Sequence, residues 1–141
     1  MSVYFTTVLL ALLFSQGIKV VVAFLTGHQD EWKLALLRSG GMPSAHSSLV
    51  VSMAVVVGIV EGTGSAVFAL SVVLAIIVMY DALNVRRSVG EQGTAIKRLI
   101  AELKLASEGY VYKQADGHHP LEVLAGILTG VMAALASLYL S

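Results

Sequence analysis

Two short stretches of this chain carry side chains suited to hold and attack a phosphorus centre. Gly40-Gly41-Met42-Pro43-Ser44-Ala45-His46 opens one apolar run, and Gly117-His118-His119-Pro120-Leu121-Glu122 opens another. Free first-turn N–H groups and the helix dipole bind oxyanions, and glycines such as Gly41 let a backbone approach a ligand closely. His118 and Glu122 are four residues apart and would share a face of a helix. A carboxylate bonded to one imidazole nitrogen fixes the tautomer and leaves the other nitrogen free for nucleophilic attack. A plainer reading fits the same residues: His119 caps a helix, Pro120 starts it, and Glu122 is a first-turn acid favoured by the dipole. Pro43 and Ser44 likewise suit a simple helix start.

The cations divide in the same way. Lys19 either snorkels from a helix end or faces an anion. Arg86 and Arg87 are either anchors following a span or phosphate ligands. Asp81 falls inside an apolar run, where an unpaired acid costs roughly 2.5–3.5 kcal/mol on insertion scales. It therefore needs a partner, Lys19 or an arginine, and a structural ion pair is the favoured role. Metal chemistry finds little support: there is no His-Glu-x-x-His, and His46 and His118 belong to different helices. No cofactor is called for.

The elements that position these groups are membrane spans. The 141 residues are 57% hydrophobic and only 13% charged, with mean hydropathy +0.83. A soluble domain is nearer a quarter charged, so the bilayer is the expected solvent. Four segments are long and apolar enough to cross, at roughly 20 residues each: about Val3 to Leu25, Ser44 to Val60, Ala66 to Val85 and Leu121 to Leu140. The first lacks a basic start and runs on past Lys19, which argues for a retained helix rather than a cleaved leader. The expected architecture is all-α, one membrane domain built as a bundle of about four transmembrane helices.

The connections differ. Glu61-Gly62-Thr63-Gly64-Ser65 fits a tight helical hairpin. Thr26 to Gly41, with Trp32, Lys33 and Arg38 among leucines, fits an interfacial segment. Within about Ser88 to Gly117, Ile96, Leu99, Ile100 and Leu103 fall at helical spacing while Lys97, Arg98, Glu102 and Lys104 fall elsewhere. That pattern predicts an extra amphipathic helix, on the membrane surface or against a partner subunit. Gly126 and Gly130 form a small-residue face on the last span, better suited to packing within the bundle than to a dimer seam. A thin four-span bundle remains compatible with a homodimer.

An up-down-up-down arrangement brings Lys19, Ser44, His46, Asp81, Arg86, Arg87, His118 and Glu122 to one membrane face and leaves Glu61 at the other. The cations on the first face place it in the cytoplasm by the positive-inside rule, with the termini outside. The expected location is an integral membrane protein of the plasma (inner) membrane. With no net charge on the chain, no nucleic acid partner follows.

At these residues the chain resembles the divergent branch of the type 2 phosphatidic acid phosphatase family, related to vanadium haloperoxidases. The likeness runs from Gln16-Gly17-Ile18-Lys19 to Gly130. Pro43-Ser44-Ala45-His46 is similar to the family's Pro-Ser-Gly-His motif, with Ala45 in place of glycine. His118-His119-Pro120-Leu121-Glu122 is similar to the end of its His-x-x-x-Asp motif, with Glu122 in place of aspartate. Tyr80-Asp81-Ala82-Leu83-Asn84-Val85-Arg86-Arg87 resembles the divergent branch itself. The family's Ser-Arg pair is absent, so Arg86 or Arg87 must supply that cation, and Arg38 is the candidate for a missing first-motif arginine.

The resemblance implies a phosphatidic acid phosphatase type 2-like core and a metal-independent phosphatase acting on a lipid phosphate monoester or diphosphate. Lys19, Arg86, Arg87, Ser44 and Gly41 would hold the phosphate, with Asp81 and Arg38 in support. His118, oriented by Glu122, would form a phosphohistidine, and His46 would protonate the leaving oxygen and then activate water. The alternative is a non-catalytic protein that binds or moves an anionic, phosphorylated lipid through the same site.

Overall fold

The computed structural model describes residues 2–27, 41–103 and 119–141. Five α-helices occupy them: α1 (Val3–Leu25), α2 (Ala45–Val60), α3 (Ala66–Tyr80), α4 (Arg86–Glu102) and α5 (Pro120–Tyr139). A π-helical turn, Asp81–Val85, joins α3 to α4 without a break. No strand is present among the described residues. The protein is an all-helical membrane bundle, as its composition implies.

The helices start and stop where local chemistry directs. Ser44 caps α2 by accepting the Ser47 N–H, and Ser65 caps α3 by accepting the Phe68 N–H at 3.1 Å. Such caps replace one of the acceptors that a first turn lacks. Between them the expected hairpin forms. The Phe68 ring lies so close to Gly58 that a Cβ there would stand 2.8 Å from it.

The interior of the bundle is small and polar while its outside is large and apolar. On α1 the buried positions are Thr7, Ala11, Ser15, Lys19 and Ala23, one stripe at four-residue spacing. On α2 they include Ser47, Ser48, Ser52, Ala54, Val56 and Val57. On α5 they include Gly126, Thr129, Gly130, Ala133, Ala134 and Ser137. Phe5, Leu13, Leu70, Ile76, Leu121 and Leu128 instead face outward. In lipid there is no hydrophobic drive to hide leucines from their surroundings, so helices associate through close packing and interhelical hydrogen bonds.

Gly126 and Gly130 are the points of closest approach. A Cβ on either would lie 2.5 Å from a backbone oxygen of α2, that of Ser44 or Ser48 respectively. The glycine face thus packs within the bundle. Ser48 Oγ donates to the Ala11 carbonyl at 3.5 Å, and Thr7 Oγ1 and Ser137 Oγ share a hydrogen bond of 2.6 Å. These contacts define the directions: α2 and α5 run parallel, and α1 runs antiparallel to both.

The remaining helix is different. From Ala66 to Glu102 the chain is one continuous helix of 37 residues, about 55 Å long at 1.5 Å per residue. A bilayer core is about 30 Å thick, so α4 extends past the membrane face. The amphipathic stretch expected in the third connection is helical as far as Glu102 and is continuous with the third span. The interfacial segment expected from Thr26 to Gly41 and the rest of the third connection fall largely outside the described residues.

Candidate functional site

Every described residue of the expected site except the arginine–acid pairs lies on the packed trio α1, α2 and α5 or, for Gly41 and Ser44, on the lead-in to α2. Lys19 ends the polar stripe of α1 and is only 7% exposed. It is therefore inside the bundle, not on the lipid-facing side where a snorkelling lysine would lie. Glu122, in the first turn of α5, exerts an electrostatic attraction on it. A buried ammonium in a membrane requires such a counter-charge.

The starts of α2 and α5 are tied together. The Ser44 backbone N–H donates to the Glu122 carbonyl at 2.9 Å. Two parallel helix N-termini therefore lie side by side, each presenting the positive end of a dipole. With Lys19 beside Glu122, this end of the bundle is suited to an anion.

The individual side chains take distinct parts. Ser44 is fully buried and accepts from Ser47 Oγ at 3.0 Å. Its hydroxyl and its N–H are committed to building the helix start. Gly41 sits just ahead of it with a φ of +86°, a left-handed conformation that favours glycine. His46 is exposed at the same end.

Glu122 accepts the His119 backbone N–H at 3.2 Å, and the helix opens at Pro120. The helix-start role for His119, Pro120 and Glu122 is thus observed. Any pairing of Glu122 with His118 has to come from the segment before the helix, because position 118 precedes its first turn. His118 and Arg38 lie outside the described residues.

Asp81 finds its partner in Arg86. Arg86 Nε donates to Asp81 Oδ2 at 2.8 Å, and the Arg86 backbone N–H donates to the Asp81 carbonyl. Residues five apart fall on different faces of an α-helix, whereas the i→i+5 bonding of a π turn stacks them. The π turn is what allows this ion pair. The same turn packs against α5, with Ala82 buried. Arg87 instead pairs with Glu91 at 3.1 Å on the exposed side of α4, as i,i+4 neighbours do. Of the two arginines, Arg86 is the one paired with the turn that touches α5.

A family model described as the divergent PAP2 family matches residues 2–133. The chain belongs to this family. It is also 35% identical, over 93% of its length and 90% of the relative's, to YuiD of Bacillus subtilis (strain 168), described as an uncharacterized membrane protein. No solved structure matches. Family membership agrees with the resemblance read from Pro43-Ser44-Ala45-His46 and Tyr80 to Arg87, and membrane residence agrees with the apolar helices.

Sequence reasoning missed two features of this end. The Ser44–Glu122 backbone link joins residues far apart in the chain and leaves no compositional trace. Ser47 supports Ser44 from one helical turn on, a role that its place in a Ser-Ala-His-Ser run could have suggested.

Proposed function

We propose that this divergent PAP2 protein is a metal-independent membrane phosphatase that hydrolyses a lipid phosphate monoester or diphosphate. The observation that carries the reading is Lys19, a lysine buried within the bundle beside the joined starts of two parallel helices. The phosphate would sit on Lys19 at the positive ends of the two helix dipoles, with Arg86 approaching from the start of α4. A His118 imidazole nitrogen attacks phosphorus as the ester P–O bond breaks, and His46 gives its proton to the leaving oxygen. Water then attacks the phosphohistidine, His46 takes the water proton, and free phosphate leaves. Glu122 balances the charge of Lys19 and, through the preceding segment, orients His118. The positive-inside count supports placing this face in the cytoplasm of a plasma-membrane protein.

The test is phosphate release from a panel of lipid monophosphates and diphosphates by the purified protein in mixed micelles without added metal. Activity should fall by about 10³-fold or more in His118→Ala, as for loss of a nucleophile, and vanadate should block it.

A second reading has its own support: Arg86 and Arg87 are both paired with acids. A site whose arginines are already neutralised suits binding or movement of a phosphorylated lipid without turnover. Folded protein that binds the head group, releases no phosphate and keeps its affinity in His118→Gln would favour this reading over the enzyme.

We also propose that two copies pair through α4. Val85, Val89, Ile96, Leu99 and Leu103 are exposed and, with Gln92, repeat at alternating steps of four and three, the spacing of a coiled-coil seam. Arg87, Glu91, Lys97 and Arg98 fall outside that seam. Copies in one bilayer present α4 on the same side, so the pairing is parallel. Leu99→Glu should convert a dimer, measured by light scattering in detergent, to a monomer.

A further inference from the structure

The membrane face opposite Lys19 has its own polar feature. Tyr4, in the first turn of α1, donates its hydroxyl to the Glu61 carboxylate at the end of α2. The pair stands at the mouth of a crevice of about 400 Å³ floored by α2 and walled by α1 and α3. That volume lies within the roughly 300–1,000 Å³ typical of small-molecule sites.

Below the mouth the lining is apolar: Met53, Val57, Val67, Leu70 and Leu74. Ser71 also lines it, but its hydroxyl donates to the Phe68 carbonyl at 2.7 Å. The polar chemistry available to a ligand is therefore confined to one end. From Glu61 to Met53 the crevice descends roughly 12 Å along α2 at 1.5 Å per residue. Val67, Leu70 and Leu74 are more than half exposed, so it opens sideways into the hydrocarbon.

Charge defines the occupant further. A carboxylate at a helix C-terminus lies at the negative end of the dipole, where cations are favoured. No lysine or arginine among the described residues pairs with Glu61, because the described ion pairs are both at the other end. Residues 61–66 and 139–141 contain no basic side chain. None of the described residues supplies the complementary cation, and the slot below the carboxylate suits an apolar chain.

We propose that this crevice binds one amine-bearing membrane lipid, with an acyl chain along Met53, Val57, Leu70 and Leu74 and the ammonium on Glu61. Tyr4 holds the carboxylate in place and leaves its remaining acceptor positions for the headgroup. The site is independent of the phosphate end and does not require turnover there.

Native mass spectrometry of the protein released from detergent tests it, with dioleoyl phosphatidylethanolamine, phosphatidylglycerol and diacylglycerol added in parallel. Phosphatidylglycerol carries the same phosphodiester without the amine, which separates this site from the phosphate end. The expected result is preferential retention of phosphatidylethanolamine. Glu61→Gln should weaken that retention about tenfold, the size of one charge-assisted hydrogen bond. Val67→Trp, which fills the crevice from its lipid-facing wall, should remove the adduct while circular dichroism and elution stay unchanged. Equal retention of phosphatidylethanolamine and phosphatidylglycerol, or a preference that survives both substitutions, would overturn the proposal.

Discussion

The trio of α1, α2 and α5 and the long α3–α4 helix are made from similarly apolar sequence, yet they are held in opposite ways. Of the most apolar stretch of α5, 39% is buried within the protein, against 11% for the α3–α4 helix. The trio meets through serine, threonine, alanine and glycine, and its backbones approach to contact. The long helix packs on α2 by one edge and turns bulky side chains outward. Small residues permit close packing, and close packing is the force available in lipid. Lys19, Ser44 and Glu122 lie on the trio, while Asp81, Arg86 and Arg87 lie on the long helix.

The largest expected effect separates function from packing. Lys19→Met should reduce phosphate release by about 10²–10³-fold, the usual loss on removing one preorganised charge-stabilising group. Thermal stability in detergent should fall only modestly, because Glu122 loses its counter-charge but is itself half-buried. A clear fall in stability with activity unchanged would make Lys19 a structural residue and break the link between the trio and the site.

Next in size is a direct test of close approach. Gly130→Val places carbon against the Ser48 carbonyl, where even a Cβ would lie at 2.5 Å. It should cost about 3 kcal/mol, the upper part of the range for overpacking, measured by denaturation in mixed micelles. Ile76→Ala, on the 57% exposed outer side of α3, should stay within about 0.5 kcal/mol of the parent. Similar losses at both positions would remove the contrast between the two regions.

Asp81→Asn should have a smaller effect. It frees Arg86 from its ion pair, and a half-exposed pair of this kind contributes about 1 kcal/mol or less. Affinity for inorganic phosphate, followed by calorimetry, should rise if Arg86 then turns to the anion. Weaker phosphate binding would show that the pair positions Arg86 for the site. Smallest of all, Thr7→Val removes the bond to Ser137 and should cost about 0.6 kcal/mol, the mean for interhelical hydrogen bonds in membranes.

Much of this organisation is legible in the residues. The four apolar runs mark the apolar helices, three of them long enough to cross at roughly 20 residues and α2 shorter at 16 residues. The Gly62 to Ser65 turn marks the hairpin because only a short polar link reverses two helices so tightly. Pro120 after His119 marks the start of α5 because proline at a first helical position forfeits no bond. The gathering of Lys19, Ser44 and Glu122 at one face follows from alternating spans. The family resemblance is read from Pro43-Ser44-Ala45-His46 and the run from Tyr80 to Arg87, within the residues 2–133 that the family model matches.

Other features needed the folded chain. Periodicity could not tell whether Lys19 faces lipid or bundle, since serine, threonine and alanine give its stripe little hydrophobic contrast. Nor could it separate Arg86 from Arg87. That choice depends on five residues of π-helix, which shift the register by one position and carry no sequence signature of their own. Sequence by itself determined the solvent and which segments are apolar helices, because transfer into hydrocarbon is a property of each segment. Tertiary structure decided which of the charged groups are buried together, because that depends on backbone approach between helices, and Gly126 and Gly130 admit it only where Ser44 and Ser48 lie opposite.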